Sequence, residues 1–206
     1  MNRRSVLSLA LMACVAFAAI AQADVASQES QTKLKATINN CAVCHGLNGH
    51  SVSPTFPNLA AQQQIYIENQ LKAFKGETRS DPDAQAYMWG MASQLSDQAV
   101  AELAQYFSSQ QPPPAEPGDA KLVAAGRKIF LEGISSEGVP PCASCHGPNA
   151  AGRGMFPRLA GQHAPYLIKQ LLVIQSALRS APVMHGIIKD LNRTQMQAVA
   201  TYLASL

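Results

Sequence analysis

Apolar positions along this 206-residue chain recur with helical spacing, twice over. Ile67, Leu71 and Phe74 step at i, i+4 and i+7, the spacing that places side chains on one buried stripe of a helix. Leu167, Leu171 and Ile174 repeat that stripe one hundred positions later. Gly76 follows the first of these helices as a stop signal. Leu103 and Tyr106 predict a further helix, matched by Val199 and Tyr202, with Ser96 and Asn192 as N-caps. Helices are also predicted near Thr32–Asn39 and over Lys121–Phe130. In the latter, Gly126 and Phe130 stand where another helix can cross closely, and the terminal helix carrying Tyr202 is the natural partner.

The helical stripes belong to a duplication. Phe56-Pro57-Asn58-Leu59-Ala60-Ala61-Gln62 parallels Phe156-Pro157-Arg158-Leu159-Ala160-Gly161-Gln162. At the same offset Tyr66 falls on Tyr166, Gln70-Leu71 on Gln170-Leu171, and Arg79-Ser80 on Arg179-Ser180. Four extra residues in the first half then change the offset, so that Met88 meets Met184 and Leu95 meets Leu191. Each half reads as a short helix, a motif-bearing loop, a middle helix, a methionine loop and a closing helix. Residues 24–109 and 119–206 are therefore expected to be tandem helical domains. The proline-rich 110–118 should act as an extended, semi-rigid linker.

Ahead of the first domain, 1–23 reads as an export signal. Asn2-Arg3-Arg4 is basic, Val6 to Ile20 is apolar, and Ala21-Gln22-Ala23 is a small-residue cleavage site before Asp24. The apolar run is short for a membrane span. Leu11-Met12-Ala13-Cys14 is a rough lipobox, but the apolar stretch continues beyond Cys14. Cleavage after Ala23 removes Cys14, which leaves four cysteines.

All four fall in one repeated motif, Cys41-Ala42-Val43-Cys44-His45 and Cys142-Ala143-Ser144-Cys145-His146. C-x-x-C-H is the attachment site of c-type haem, in which two thiols bond to the porphyrin and the histidine ligates iron. In an exported protein a C-x-x-C disulfide or redox pair is the alternative. The histidine after each pair and the scarcity of strand-forming residues argue against it. Two haems are expected, one in each domain.

The repeat also selects the second axial ligands. Met88 aligns with Met184, whereas Met91 aligns with Ile187 and Met155 with Thr55. His50 and His163 lack histidine partners across the repeat and are expected to be exposed polar residues. His185, beside Met184, has Trp89 as its partner and is the rival in the second domain. The assignments are His45/Met88 and His146/Met184, with Met91, Met155 and Met196 as core fillers. A ligating histidine passes its other N–H to an acceptor, and the carbonyls of Pro57 and Pro157 are the candidates. Arg79 and Arg179 are either solvated or paired with haem propionates.

These motifs, with Phe-Pro-x-Leu-Ala-x-Gln and the methionine–leucine spacing in both halves, resemble the di-haem cytochrome c4 family. The resemblance implies an all-α protein of two cytochrome c domains, each around one covalent haem. It also implies a periplasmic electron carrier, often attached to the membrane surface, and not an enzyme. Its donor would be a protein such as a quinol-oxidising complex and its acceptor one such as a terminal oxidase. The alternatives are the cytochrome subunit of a larger dehydrogenase, for instance a flavoprotein oxidising sulfide, or a di-haem peroxidase with one accessible iron. Nucleic acid is excluded as a partner, because no coherent basic, aromatic-rich surface is encoded.

Charge separates the two halves. Residues 24–116 carry five basic and nine acidic side chains, net −4, and 117–206 carry nine and four, net +5. Such a dipole orients partners more than it sets affinity. It predicts that the C-terminal haem has the higher reduction potential.

Overall fold

A computed structural model describes residues 28–206; the expected signal and Cys14 lie outside the described residues. They form two compact units, one ending at Asn40 and one spanning Cys41–Leu206. No strand occurs among the described residues, only the isolated bridges Ile134–Val139 and Arg153–Phe156.

The first helix, α1, covers 28–45 and carries the first C-x-x-C-H at its end. It is longer than the 32–39 segment expected, and the motif is helical instead of a loop. Next come α2 (Gln64–Lys75), a π-helical turn over Ala84–Met88 that runs into α3 (Trp89–Ser93), and α4 (Asp97–Ser108). The second half has α5 (Ala120–Glu132), a 3₁₀ turn at Ser135–Glu137, α6 (Ala143–His146), α7 (Ala164–Gln175), α8 (Pro182–Ile188) and α9 (Arg193–Ala204). The methionines expected in loops therefore sit on helical turns. Proline explains this in the second half: Pro182 opens α8, where its fixed φ suits the first helical turn and its missing N–H costs nothing. In the first half, Met88 closes a π-helical turn over Ala84–Met88 that leads straight into α3.

Capping follows the sequence. Ser96 Oγ accepts from Ala99 N–H at 3.1 Å. Asn192 and Gln195 form a reciprocal capping box, satisfying two otherwise unpaired N–H groups. At the end of α2, Gly76 has an ordinary φ of −88°, and the left-handed residue is Glu77 instead. The glycine there is not required by the turn.

In the second half α5 packs on α9 through Gly126 and Phe130. A Cβ built on Gly126 would lie 2.0 Å from the Ala198 carbonyl oxygen, so only glycine permits this crossing. Phe130 meets Tyr202 at 5.7 Å between ring centroids. A second cluster joins Val139, Ile174, Ile188, Leu191 and Met196, with Met184 at its edge. The corresponding cluster of the first half is Phe74, Ala84 and Ala92, edged by Met88, Trp89 and Leu95.

The proline-rich segment is attached to the body, not free. Pro113 is buried against Gly161, and Glu116 N–H donates to the Ala204 carbonyl at 2.8 Å.

Candidate functional site

Each C-x-x-C-H histidine is buried and held in the same way. His45 Nδ1 donates to the Pro57 carbonyl at 2.9 Å, and His146 Nδ1 donates to the Pro157 carbonyl at 3.0 Å. The expected acceptors are the ones used. Phe56 and Phe156, one residue before each proline, stand edge-on to their histidine rings at 6.1 and 6.4 Å. The repeated Phe-Pro thus fixes both the ring plane and the tautomer, leaving Nε2 as the lone-pair nitrogen. Burial lowers the pKa of both imidazoles, opposed by the proline carbonyls. Each is kept neutral, the form that binds iron.

No disulfide joins Cys41 to Cys44 or Cys142 to Cys145. Burial pushes Cys41 up and Cys142 to about 11. Redox-active C-x-x-C pairs need a lowered thiol pKa, so these motifs are poor disulfide exchangers. Two thiols beside a buried neutral imidazole with one nitrogen free are the donor set a covalent haem requires. The residues fit the group.

The methionines divide differently from expectation. Met88 and Met184 are half-buried at equivalent apolar clusters. Met196 is a core filler, 1% exposed, but Met91 and Met155 are 48% and 64% exposed and fill no core. Met91 lies on α3, whose inner face is taken by Ala92. Met155 lies in the loop closed by the Arg153–Phe156 bridge. His185 Nδ1 donates to the Ile174 carbonyl at 3.0 Å.

Two further histidines are not the exposed residues expected. His163 is buried, and its ring nitrogens reach Glu116 Oε1 at 2.6 Å and the Ser51 carbonyl at 2.9 Å. His50 Nε2 donates to the Gln111 carbonyl at 2.8 Å. Both tie the proline-rich segment to the rest of the Cys41–Leu206 unit.

The glutamines of the repeated motif have a role that was not apparent from sequence. Gln62 Nε2 donates to the Arg158 carbonyl, and Gln62 Oε1 accepts from Arg158 N–H. Gln162 makes the same pair of bonds with Asn58. Each glutamine reads the backbone of the other half at the position equivalent to the one its twin reads. The recurrence of glutamine at the same place in both copies of the motif was the available signal.

Arg79 and Arg179 are likewise not solvated. Arg79 donates to Gln70 Oε1 at 2.7 Å and Gln170 Oε1 at 3.1 Å; Arg179 donates to the same two oxygens at 3.0 and 2.6 Å. Arg179 also donates to Tyr66 OH at 2.8 Å. Asp81, 1% exposed, accepts from Arg79 Nε at 2.9 Å. Burial acts to lower the Arg79 pKa, but the Tyr166 and Tyr66 phenols and Asp81 outweigh it and raise it. Burial acts to raise Tyr66, but the two arginines draw it below its ordinary value. Gln170 Nε2 is buried without a partner.

Comparison with known proteins agrees with this picture. The profile of the Cytochrome c family matches residues 32–111 and again 123–206. Cytochrome c-552 of Acidithiobacillus ferridurans is 38% identical over 97% of this chain and 85% of its own. Cytochrome c4 of Azotobacter vinelandii is 36% identical over 81% and 84%. A thiosulfate dehydrogenase electron acceptor of Thiomonas intermedia is 34% identical over 98% and 91%. Among solved structures, Acidithiobacillus ferrooxidans cytochrome c4 superimposes with a TM-score of 0.78 at 40% identity, covering 82% of this chain and 99% of that one.

Proposed function

Because the chain belongs to the cytochrome c family, as a di-haem member of the cytochrome c4 type, we propose that it relays single electrons between protein partners in the periplasm. It is a di-haem electron carrier with two covalently bound haem c groups. In our reading the domains are 24–109 and 119–206, joined by 110–118, and export removes 1–23. Cys41 and Cys44 tether the first haem, and Cys142 and Cys145 the second. His45 with Met88, and His146 with Met184, are the axial pairs. No helix among the described residues is long and apolar enough to cross a membrane.

The observation that carries this reading is the matched pair of buried histidines, each with Nδ1 engaged by a proline carbonyl, in halves that repeat one methionine position. Haem c supplies an iron that changes oxidation state by one electron, and thioether ligation raises its reduction potential. The residues of the chain do the rest. Pro57 and Pro157 fix the imidazoles, and Met88 and Met184, each at the edge of an apolar cluster, would supply the second ligands and close both irons to water. A site closed in this way has no place for peroxide or another substrate, so we assign no catalysis to it.

For partners we propose a quinol-oxidising complex as donor and a terminal oxidase as acceptor. A second reading has its own support: a full-length relative is named as a thiosulfate dehydrogenase electron acceptor. On that reading the donor is a dehydrogenase. Mixing the ferric protein with each purified donor separates the two, since the true donor reduces it at a rate that saturates.

The ligand assignment is tested by substitution. Met88→Ala and Met184→Ala should each remove the weak far-red sulfur–iron band of one haem only, and Met91→Ala should remove none. Loss of a band in Met91→Ala overturns the assignment.

A further inference from the structure

We propose that the proline-rich segment is a positioning element of the relay: a strap, fastened by His163 and Glu116, that holds the two halves in one arrangement so that an electron crosses between the haems without domain motion. The inference rests on the two-haem reading above and adds to it the part of the chain that fixes how the halves meet.

Three places where the repeat is broken meet this one segment. The first is position 163. Gln63 and His163 stand at the N-caps of α2 and α7. Gln63 Nε2 donates to the Ala151 carbonyl at 2.9 Å, and His163 Nε2 makes the equivalent contact with the Ser51 carbonyl, also at 2.9 Å. A carboxamide is therefore enough for the bond between the halves. Histidine adds a second ring nitrogen, and that one lies 2.6 Å from Glu116 Oε1 in the strap.

Position 161 is the second. Ala61 and Gly161 share a left-handed backbone, with φ of 56° and 69°, and their N–H groups donate to equivalent carbonyls, those of Phe107 and Leu203. Alanine serves in the first half, so the turn alone does not require glycine. Pro113 supplies the reason: a Cβ on Gly161 would lie 3.0 Å from Pro113 Cγ and 3.2 Å from its carbonyl oxygen, and a proline ring cannot rotate away. The third is His50, whose Nε2 donates to the Gln111 carbonyl at 2.8 Å, where the second half reads Asn149-Ala150-Ala151.

The halves come in two copies and the linker in one, so residues that hold the linker have no counterpart to match. The anchors are spread along it. Gln111 is held by the first half, and Pro113 and Glu116 by the second, where the Glu116 N–H also donates to the Ala204 carbonyl at 2.8 Å. Prolines keep the chain between anchors extended and semi-rigid, which leaves little slack. Each contact is complete within the chain. Electron tunnelling weakens steeply with distance, so loosely joined halves would transfer only when motion brought them together. Strapped halves need no such step.

The test uses the full-length di-haem protein. Hydrogen exchange of the Glu116 amide reads the strap, and pulse-radiolysis kinetics at rising viscosity read transfer between the haems. In the unsubstituted protein the amide should be protected and the interhaem rate independent of viscosity. His163→Gln keeps a donor for Ser51, as Gln63 does for Ala151, but gives up Glu116. Protection should fall about tenfold or more, the worth of a hydrogen bond to a charged group. Transfer should slow and become viscosity-dependent. Gly161→Ala, in a backbone conformation that Ala61 already adopts, should do the same by displacing Pro113, and it decides the matter if His163→Gln does not fold. Unchanged protection in a folded variant overturns the strap, and an unchanged rate despite lost protection overturns its part in the relay. Fewer than two haems per chain in the unsubstituted protein overturns the two-haem reading itself, before either readout is taken.

Discussion

A histidine that binds iron must present one nitrogen and spend the other, and here both imidazoles spend Nδ1 on a proline carbonyl. That arrangement was legible in the sequence, because a proline follows each motif histidine at nearly the same distance and its carbonyl is not consumed by a helix. Burial then keeps both rings neutral. It also makes a statement about acid stability. Both folded pKa values lie below the ordinary 6.5, so the unfolded chain binds more protons between the folded value and 6.5. The contribution of the two histidines is fully present above pH 6.5 and is lost as pH falls through the folded values. Guanidinium unfolding followed by circular dichroism should give a midpoint that is flat above pH 6.5 and falls as the pH is lowered below it. A midpoint that rises on acidification contradicts the buried neutral state. Other residue-level features were not legible. Asp81, Gln62 and Gln162 take their partners from distant parts of the chain, and nothing in their local sequence states that they are buried.

Among the elements, the crossing of α5 and α9 was readable from Gly126, Phe130 and Tyr202 because helical spacing fixes which side chains share a face. The structure adds the tolerance. A methyl group at Gly126 would collide with the backbone at Ala198, which cannot rotate away as a side chain could. Gly126→Ala should therefore cost about 3 kcal/mol, the upper end of overpacking penalties, measured by equilibrium denaturation. A change within about 0.5 kcal/mol, the size of an ordinary surface substitution, would show that the helices separate easily. The methionine segments were less legible. The sequence contains four extra residues before Met88, but that the turn there is π-helical depends on how it packs, not on propensity. The same holds for Met91 and Met155: hydrophobic character alone did not distinguish a surface thioether from a core one.

At the scale of the molecule, the duplication was plain in the sequence and the joint between the repeats was not. Equivalent glutamines exchange backbone hydrogen bonds, two arginines share two carboxamides, and the Asp83 carboxylate pairs with Lys169. The contacts that cross between the halves link positions 86 to 109 residues apart, so only the docked halves reveal them. Like groups face one another across the repeat, and single departures from it, such as Asp81 against Ala181, give two similar modules different electrostatics. An electron carrier without a substrate of its own needs both irons closed, since an open one would make this a haem enzyme. Carbon monoxide binding to the dithionite-reduced protein at pH 7, followed in the Soret band alongside a count of haem per chain, tests this most directly. Two haems per chain and no rapid carbon monoxide adduct are the predicted result; rapid, stoichiometric binding at either haem would contradict it.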